Sequence, residues 1–547
     1  MGTQNDTAEV ADNATSRPHA VTMADPGDWL LTKQERANAE TRIDAQHSGE
    51  QAWSTGNLVR PLIHGSAYFR ELYEAVRATV PGDLVFFTDW QGDADERLIG
   101  EPGSEMVEVL GGAEARGVDV RGLVWRSHLD QTGFFATENR HLGEQLQHRG
   151  VEAVLDMRVR TGGSHHQKFV VVRYRSEPSR DVAFVGGIDL AHNRRDDADH
   201  PGDPQSQFLT KEYGDHPPWH DVQVAIRGPA VHDVETVFRE RWEDRTPLSR
   251  SPIRQLSDRL RRLDTSPGGL PEQRPAPPHA GPHVVQLLRT YPNLRHGRDY
   301  PFARGGERSV ARGYTKAIRR SRRLIYIEDQ YFWSADVATP FEEAVRTNPD
   351  LRMIIVLPLH PDVTGVNRVA QLLGRARALR QLMEIAPDRV AAYGIENHAG
   401  TPVYVHAKVC IADDIWTSVG SDNFNRRSWT HDSELAAVVL DEDYGRDLRL
   451  RLAAEHLDRL DDFDRHGHQA MVDCLEPIGM YEAFRAVATR LEEWHQTADG
   501  TPRPPGRLRP LSLPVIGNLT RTWARQLLRL VHDPDGRPAP LRNTTRY

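Results

Sequence analysis

Short, wholly apolar runs alternate along the chain with longer stretches in which apolar residues recur every three or four positions. This is the pattern of buried strands separated by amphipathic helices. Leu84 to Thr88 (LVFFT) is one such strand, and Tyr68, Leu72, Ala75 and Val76 lie on one face of a helix before it, with Ser66 as its candidate cap. A helix over about Ser104 to Ala115, a strand over Val118 to Val124, another helix and a strand over Val151 to Leu155 follow. Later the order returns. A helix covers Val310 to Ile318, Leu324 to Glu328 (LIYIE) is a strand, and a helix begins near Pro340. A strand over Met353 to Leu357 and a helix over about Arg368 to Met383 complete the series. Strands alternating with helices predict an α/β fold, with mixed or parallel sheets covered on both faces.

The return keeps register. LVFFTDW and LIYIEDQ begin 240 residues apart, and so do His166-Gln167-Lys168 and His406-Ala407-Lys408. Two landmarks with one offset, and matching elements between them, predict a duplicated α/β unit. The Pro- and Gly-rich run Asp264 to His283 reads as the connection between the copies. The expected division is a polar N-terminal arm (1–56), a first half (57–263), a linker (264–283), a second half (284–500) and a basic, Pro-rich tail (501–547).

Composition narrows the function. The 547 residues are 38% hydrophobic, enough for a sizeable core, and the formal net charge is -9. An acidic chain does not suit a general nucleic-acid binder, so no nucleic-acid partner is expected. Two cysteines, Cys410 and Cys474, leave no disulfide framework, and Cys410 falls in a strand as a packed thiol. No signal peptide and no apolar run of about 18 residues is present, so the expected location is cytoplasmic, with any lipid met from the water side.

The candidate chemistry lies in two segments. In SHHQKFVVVRY, Ser164 to Tyr174, His166 and Lys168 alternate along extended chain and share a face. A strand over Val182 to Val185 follows, then Gly186-Gly187-Ile188-Asp189. In YVHAKVCIADD, Tyr404 to Asp414, His406 and Lys408 repeat the pair, Asp413 follows Lys408 after four residues, and Gly420-Ser421-Asp422-Asn423 comes next. One such pair on a strand is ordinary surface polarity. Two pairs at equivalent points of a duplicated unit, each ahead of a Gly-rich turn, point to one site built twice.

The segments resemble those of the phospholipase D superfamily, which implies a phosphodiester substrate, an anion that repels nucleophiles, so the site must supply positive charge and in-line positioning. Lys168 and Lys408 provide charge. Asn423 and the turns holding Gly187 and Ser421 are expected to bind phosphate, with Asp189 at the first-half position equivalent to Asn423. An imidazole serves as nucleophile, base or acid near neutrality. One attacks phosphorus; the other protonates the leaving alcohol and then deprotonates the incoming water or alcohol. The two pairs are too alike for the residues alone to say which is which. Each imidazole needs a carboxylate to fix its tautomer, and by position Asp221 and Glu434 are the candidates. Gln330 and Tyr331, just past the second LIYIE strand, and Trp90 at the matching first-half position are candidates for the substrate entrance. No metal or cofactor is required.

These motifs resemble the phospholipase D superfamily, marked by H-x-K-x4-D followed by G-[GS]-x-[ND], present twice per site. His165 to Lys168, Phe184 to Leu190 and Pro218-Trp219-His220-Asp221 are similar to first-half signatures of plant and other eukaryotic-type phospholipases D. Ile325 to Phe332, Gly420 to Ser428 and Asp432-Ser433-Glu434 are similar to second-half ones, over roughly Asn57 to Asp464 in all. The resemblance implies a duplicated α/β sandwich of two mixed sheets with the site at the pseudo-twofold interface. It implies His166 as nucleophile, His406 as general acid/base and a catalytic set including Asp413. The departure is Arg173, which stands where the first motif has its acid. With only about 56 residues ahead of the first copy there is no room for a C2 module, and Arg195 to Asp199 is no EF-hand loop, so calcium-independent catalysis is expected.

The implied activity is hydrolysis of a glycerophospholipid, with transphosphatidylation to alcohols. Phosphatidyl transfer to make another lipid is an alternative, as are a nuclease on the same scaffold and a non-catalytic binding copy. The tail carries nine arginines against Asp533 and Asp535. With Trp523, Leu527, Leu528 and Leu530 it reads as a short amphipathic helix, either docked on the acidic body or in peripheral contact with an anionic membrane.

Overall fold

The computed structural model describes residues 24–128, 136–294, 299–497, 500–514, 516–542 and 544–547. The start of the expected N-terminal arm, residues 1–23, lies outside the described residues. Two short helices come first, α1 (Pro26–Trp29) and α2 (Lys33–Arg36). The first half runs β1 (Ser54–Ile63), α3 (Gly65–Arg77), β2 (Leu84–Asp89), α4 (Met106–Ala115), β3 (Asp119–Trp125), α5 (Ala136–His148), β4 (Glu152–Asp156), β5 (Phe169–Arg173), β6 (Val182–Gly186), β7 (Trp219–His220), β8 (Val222–Arg227), α6 (Ala230–Trp242) and α7 (Pro252–Arg261). The second half runs β9 (His283–Tyr291), β10 (Glu307–Arg308), α8 (Ser309–Arg320), β11 (Leu324–Glu328), α9 (Ala335–Thr347), β12 (Arg352–Val356), α10 (Gly365–Ile385), β13 (Val390–Ile395), β14 (Tyr404–Val405), β15 (Val409–Ala412), β16 (Trp416–Gly420), α11 (Arg426–Thr430), β17 (Glu434–Leu440), α12 (Glu442–His456), α13 (Leu460–His466) and α14 (Pro477–Thr497). β18 (Leu508–Pro510) and α15 (Asn518–Leu527) close the chain.

The duplication is explicit in the sheet. Outward from the middle, one side reads β1-β8-β6-β5-β2-β3-β4 and the other β9-β17-β16-β15-β11-β12-β13, the same order twice, with β18 added at one edge. In each copy the outer three strands are parallel and the rest antiparallel, as expected for mixed sheets. The two sheets are joined by a short, bulged β1–β9 ladder at Ser54↔Val285 and Asn57↔His283, which makes one continuous path. The apolar runs are buried on both faces. Leu84 and Phe86 of β2 enter a core shared by both halves, whereas Val85 and Phe87 face the core under α3 and α4. Burying such a side chain contributes roughly 1.5–3 kcal/mol.

Several sequence-based boundaries move. α3 is capped by His64, with no side-chain bond, rather than by Ser66. Gly65 opens the helix there because a Cβ would stand 1.8 Å from the Arg194 carbonyl oxygen. α9 begins at Ala335, so Pro340 sits inside the helix and forgoes an amide bond in its second turn. The described part of the arm is folded: Trp29, Leu30 and Leu31 join the second-half core, and Arg36 is buried against Asp44 (2.7 Å) and Glu307 (3.0 Å). The linker has no helix or strand, yet its carbonyls at Gly268, Pro271 and Pro275 accept hydrogen bonds from Trp242, Arg239 and Arg173. The tail is integrated as well. β18 pairs with β13, and α15 packs on α10 with Ala524 and Leu528 buried.

Candidate active site

The two halves clasp each other where the motifs lie. His165 bridges Ser433, and the His166 amide donates to the Ser433 carbonyl at 2.9 Å. In the mirrored contact β14 pairs with β7, and the His406 amide donates to the His220 carbonyl at 2.7 Å. The expected continuous strand is broken at each motif: β5 starts at Phe169 and β15 at Val409, leaving both His-x-Lys triplets in irregular chain. The break frees each triplet to pair with the opposite half.

The carboxylate partners are therefore crossed. Nδ1 of His166, in the first half, lies 2.9 Å from Oε2 of Glu434 in the second. Nδ1 of His406, in the second half, lies 2.6 Å from Oδ2 of Asp221 in the first. This leaves Nε2 of each ring for substrate. Burial, then the ammonium groups of Lys168 and Lys408, holds His166 well below the ordinary imidazole value. Burial, then Lys408 and Arg194, does the same to His406, and Lys168 adds to it. The charges of both lysines thus bear on both rings. Burial pushes Glu434 up to about 7 and raises Asp221, against the pull of neighbouring cations. Burial draws Lys408 down to about 8.

Three residues expected to bind phosphate are committed elsewhere. The Gly187 amide donates to the Val222 carbonyl at 3.2 Å, and a Cβ there would stand 2.2 Å from Oδ1 of Asp221. The glycine makes room for the partner of His406. Ser421 Oγ donates to Glu434 at 2.5 Å and accepts from the Leu435 amide, so it orients the partner of His166. Asp189 pairs with Lys168 at 3.4 Å and Arg194 at 3.5 Å. Burial raises its carboxyl, but Lys168, Arg194 and a hydrogen bond with Asp89 outweigh it and leave it at about 2. A carboxylate so held repels phosphate. Asn423 is buried and its Oδ1 has no hydrogen-bond partner; an acceptor oxygen does not bind phosphate, so the expected contact would fall to its Nδ2 donor.

Asp413 is also displaced from the chemistry. It lies past the far end of β15, where its carboxylate accepts the amides of Arg322, Arg323 and Leu324 at 2.7–2.8 Å and fixes the start of β11. Arg173, its first-half counterpart, is buried against Asp181 (2.6 Å) and Glu235 and donates to the Pro275 carbonyl. The missing acid is thus replaced by an inverted ion pair outside the reacting centre. Of the entrance candidates, Trp90 has its ring 5.5 Å from that of His166 and 5.4 Å from Lys168 Nζ. Gln330 donates to the Tyr404 hydroxyl at 2.7 Å and accepts from Lys408 at 3.4 Å, while Tyr331 stacks on Trp333 at 3.9 Å.

Sequence reasoning passed over Asp89, Asp329 and Arg194. Asp89 is held well above the carboxylate range by burial and by the neighbouring Asp189. Asp329 accepts the amides of Tyr331, Phe332 and Phe424. The two acids stand 240 residues apart, so the repeat offset itself marks them. Arg194 adds a buried cation whose guanidinium lies 4.2 Å over the Trp219 ring, and no motif announces it. A cleft of about 1810 Å³ has walls that include Arg160, Arg427, His431, Trp333, Arg529 and Ile253, and it adjoins the site's surroundings through Trp333, which stacks on Tyr331, and Arg427, which pairs with Asp432.

The family profile described as Phospholipase D matches residues 83–338, and that described as Cardiolipin synthase, PLD-like domain matches residues 314–455. The chain belongs to the phospholipase D superfamily. It is 26% identical to phospholipase D beta 1 of Arabidopsis thaliana over 80% of its own length and 51% of the relative's. It is 26% identical to phospholipase D alpha 1 of Oryza sativa subsp. japonica over 69% of its length and 61% of that relative's. The chain thus spans roughly half to three fifths of these plant relatives. The crystal structure of phosphatidylserine synthase from Haemophilus influenzae Rd KW20 superposes with a TM-score of 0.48 and 14% identity, covering 79% of this chain and 93% of that one.

Proposed function

We propose that the chain cleaves the head-group phosphodiester of a glycerophospholipid through a phosphohistidine at His166. The carrying observation is the crossed pairing, in which each imidazole is oriented by a buried carboxylate of the opposite half while the charges of both lysines bear on both rings. Nε2 of His166, neutral in this setting, attacks phosphorus. The phosphorus–oxygen bond to the head group breaks, and protonated His406 gives its proton to the departing alkoxide. Lys168, Lys408 and Arg194 neutralise the phosphoryl oxygens throughout. Neutral His406 then takes a proton from water, which attacks the phosphohistidine, releases phosphatidate and restores His166. A primary alcohol in place of water gives a phosphatidyl alcohol. Side-chain cations carry all the charge in these steps, and calcium-independent catalysis follows.

A lipid is favoured because the cleft beside the site joins arginines to apolar groups such as Trp333, Leu530 and Ile253, matching an anionic head-group region with chains behind it. Phosphatidyl transfer as the main outcome is the second reading, supported by the cardiolipin synthase-like profile over 314–455. The test is head-group release from phosphatidylcholine, phosphatidylethanolamine and phosphatidylglycerol, with and without ethanol. Release should be accompanied by phosphatidylethanol when ethanol is present. His166→Ala and His406→Ala should each lose about 10³-fold or more in kcat. Unchanged turnover in either variant overturns the mechanism.

A further inference from the structure

A second cluster of ionisable groups lies behind the site and takes no part in the chemistry above. His64 precedes α3, His200 sits in the loop after β6, and His220 ends β7, all in the first half; Glu455, on α12, comes from the second. All four are buried, and one ligand atom from each lies within 4.8 Å of every other. Glu455 is the focus. Its Oε2 is 2.8 Å from His64 Nε2, and its Oε1 is 3.1 Å from His200 Nε2 and 3.2 Å from His220 Nδ1.

Two observations separate this cluster from an ordinary hydrogen-bonded network. His220 Nδ1 is buried at hydrogen-bonding distance from Glu455 yet makes no hydrogen bond, because its direction is wrong for one. The opposite ring nitrogens of two of the three histidines are also arranged as metal ligands require, while His64 Nδ1 has no hydrogen-bond partner. His220 Nε2 lies 2.7 Å from Glu328, and His200 Nδ1 lies 3.4 Å from Asp196. A carboxylate behind the far nitrogen is the usual way a metal-bound imidazole is fixed in tautomer and orientation.

Charge and spacing agree. Glu455, Glu328 and Asp196 are buried, and among the described residues their ion-pair partners are all histidines, with no lysine or arginine. A divalent cation compensates such a set. The three rings surround a common point, with centroids 4.9, 5.1 and 5.8 Å apart. A tetrahedral ion with bonds of roughly 2.0–2.2 Å spaces its ligand atoms about 3.3–3.6 Å apart, and the four ligand atoms here, within 4.8 Å of one another, would draw in toward that spacing on binding.

We infer that His64, His200, His220 and Glu455 form a closed, structural site for a divalent transition-metal ion of the zinc class. Three imidazoles and one carboxylate suit that class, and four protein ligands leave no open position for chemistry. The ion would pin α12 of the second half to three segments of the first. Its effect on catalysis would be positional, since His220 accepts the amides of His406 and Ala407 and is followed by Asp221.

The test uses the full chain made without a polyhistidine tag. Elemental mass spectrometry after exhaustive dialysis should find about one zinc ion per chain. A strong chelator should remove it and lower the unfolding temperature, and added zinc should restore both. Cobalt(II) refilling should give the visible absorption of a tetrahedral site. Glu455→Gln and His200→Gln should retain less than about a tenth of the wild-type metal. Should these variants fail to fold, the chelation and refilling of the wild type still decide the matter. Folded wild type holding less than about a tenth of an ion per chain, with an unfolding temperature indifferent to zinc and chelator, overturns the site. Metal content and unfolding temperature are independent of lipid turnover, so either reading can fail alone.

Discussion

His166 and His406 are sheltered, flanked by ammonium groups and oriented by acids, and this fixes the sign of the pH response. Burial and the lysines hold both imidazoles well below the ordinary value. The nucleophile therefore stays unprotonated well into acid. The general acid must hold a proton, and in the free enzyme it does so only at low pH. kcat/KM should accordingly peak on the acid side of the ordinary imidazole value of about 6.5 and fall as pH rises. A further loss should occur near 8, where Lys408 gives up its charge. A pH–rate profile on a soluble short-chain substrate checks this, and an optimum well above 7 contradicts it. The two histidines, two lysines and two acids are visible in the chain, but who serves whom is not. His166 and Glu434 are 268 residues apart, His406 and Asp221 185 apart, and only the clasp between halves crosses the pairs. Asp413 and Ser421 misled for a related reason. A motif records that a polar side chain is needed, not whether it meets substrate or holds a strand or an acid in place.

At the scale of elements, the strands were easiest to read, because burial on both faces leaves long apolar runs such as LVFFT and LIYIE. Helix starts at α3 and α9 shifted because a close backbone approach and an internal proline overrode local preference. The expected tail helix exists as α15 but packs on α10, and the more exposed amphipathic surface belongs to α7. There Asp258 points inward to a buried pair with Arg126 at 2.6 Å, while Ile253, Leu256 and Leu260 on the opposite face are 58–81% exposed. Arg259 and Arg261, both exposed, lie to either side of that face. An apolar stripe turned outward between arginines, beside a cleft proposed to admit lipid, fits an anionic bilayer surface. Replacing Ile253, Leu256 and Leu260 together by serine should weaken sedimentation with phosphatidylglycerol vesicles about 10–100-fold. Turnover of a monomeric short-chain lipid should not change. Wild-type vesicle binding by the triple variant would exclude α7 as the contact. Among the described residues no helix is long and apolar enough to cross a membrane.

The whole molecule is one sheet order written twice and joined at β1–β9, and its symmetry explains why a site assembled from both copies needs only one chain. Neither half holds both members of the His166–Glu434 or the His406–Asp221 pair, since each supplies the ring of one and the acid of the other. The 240-residue offset announces the repeat, whereas the interlock at His165–Ser433 and β14–β7 depends on short contacts with no periodic signal. If the clasp forms within a chain, inactive variants cannot rescue each other. Folded His166→Ala and His406→Ala proteins, mixed or co-expressed, should together show no more than their summed residual activity, about 10⁻³ of wild type or less. Were the halves exchanged between chains, a mixed pair would contain one site with both histidines, and activity on the order of a quarter of wild type would return. Such recovery would mean that the crossed pairs join different molecules, and the single-chain site would have to be abandoned.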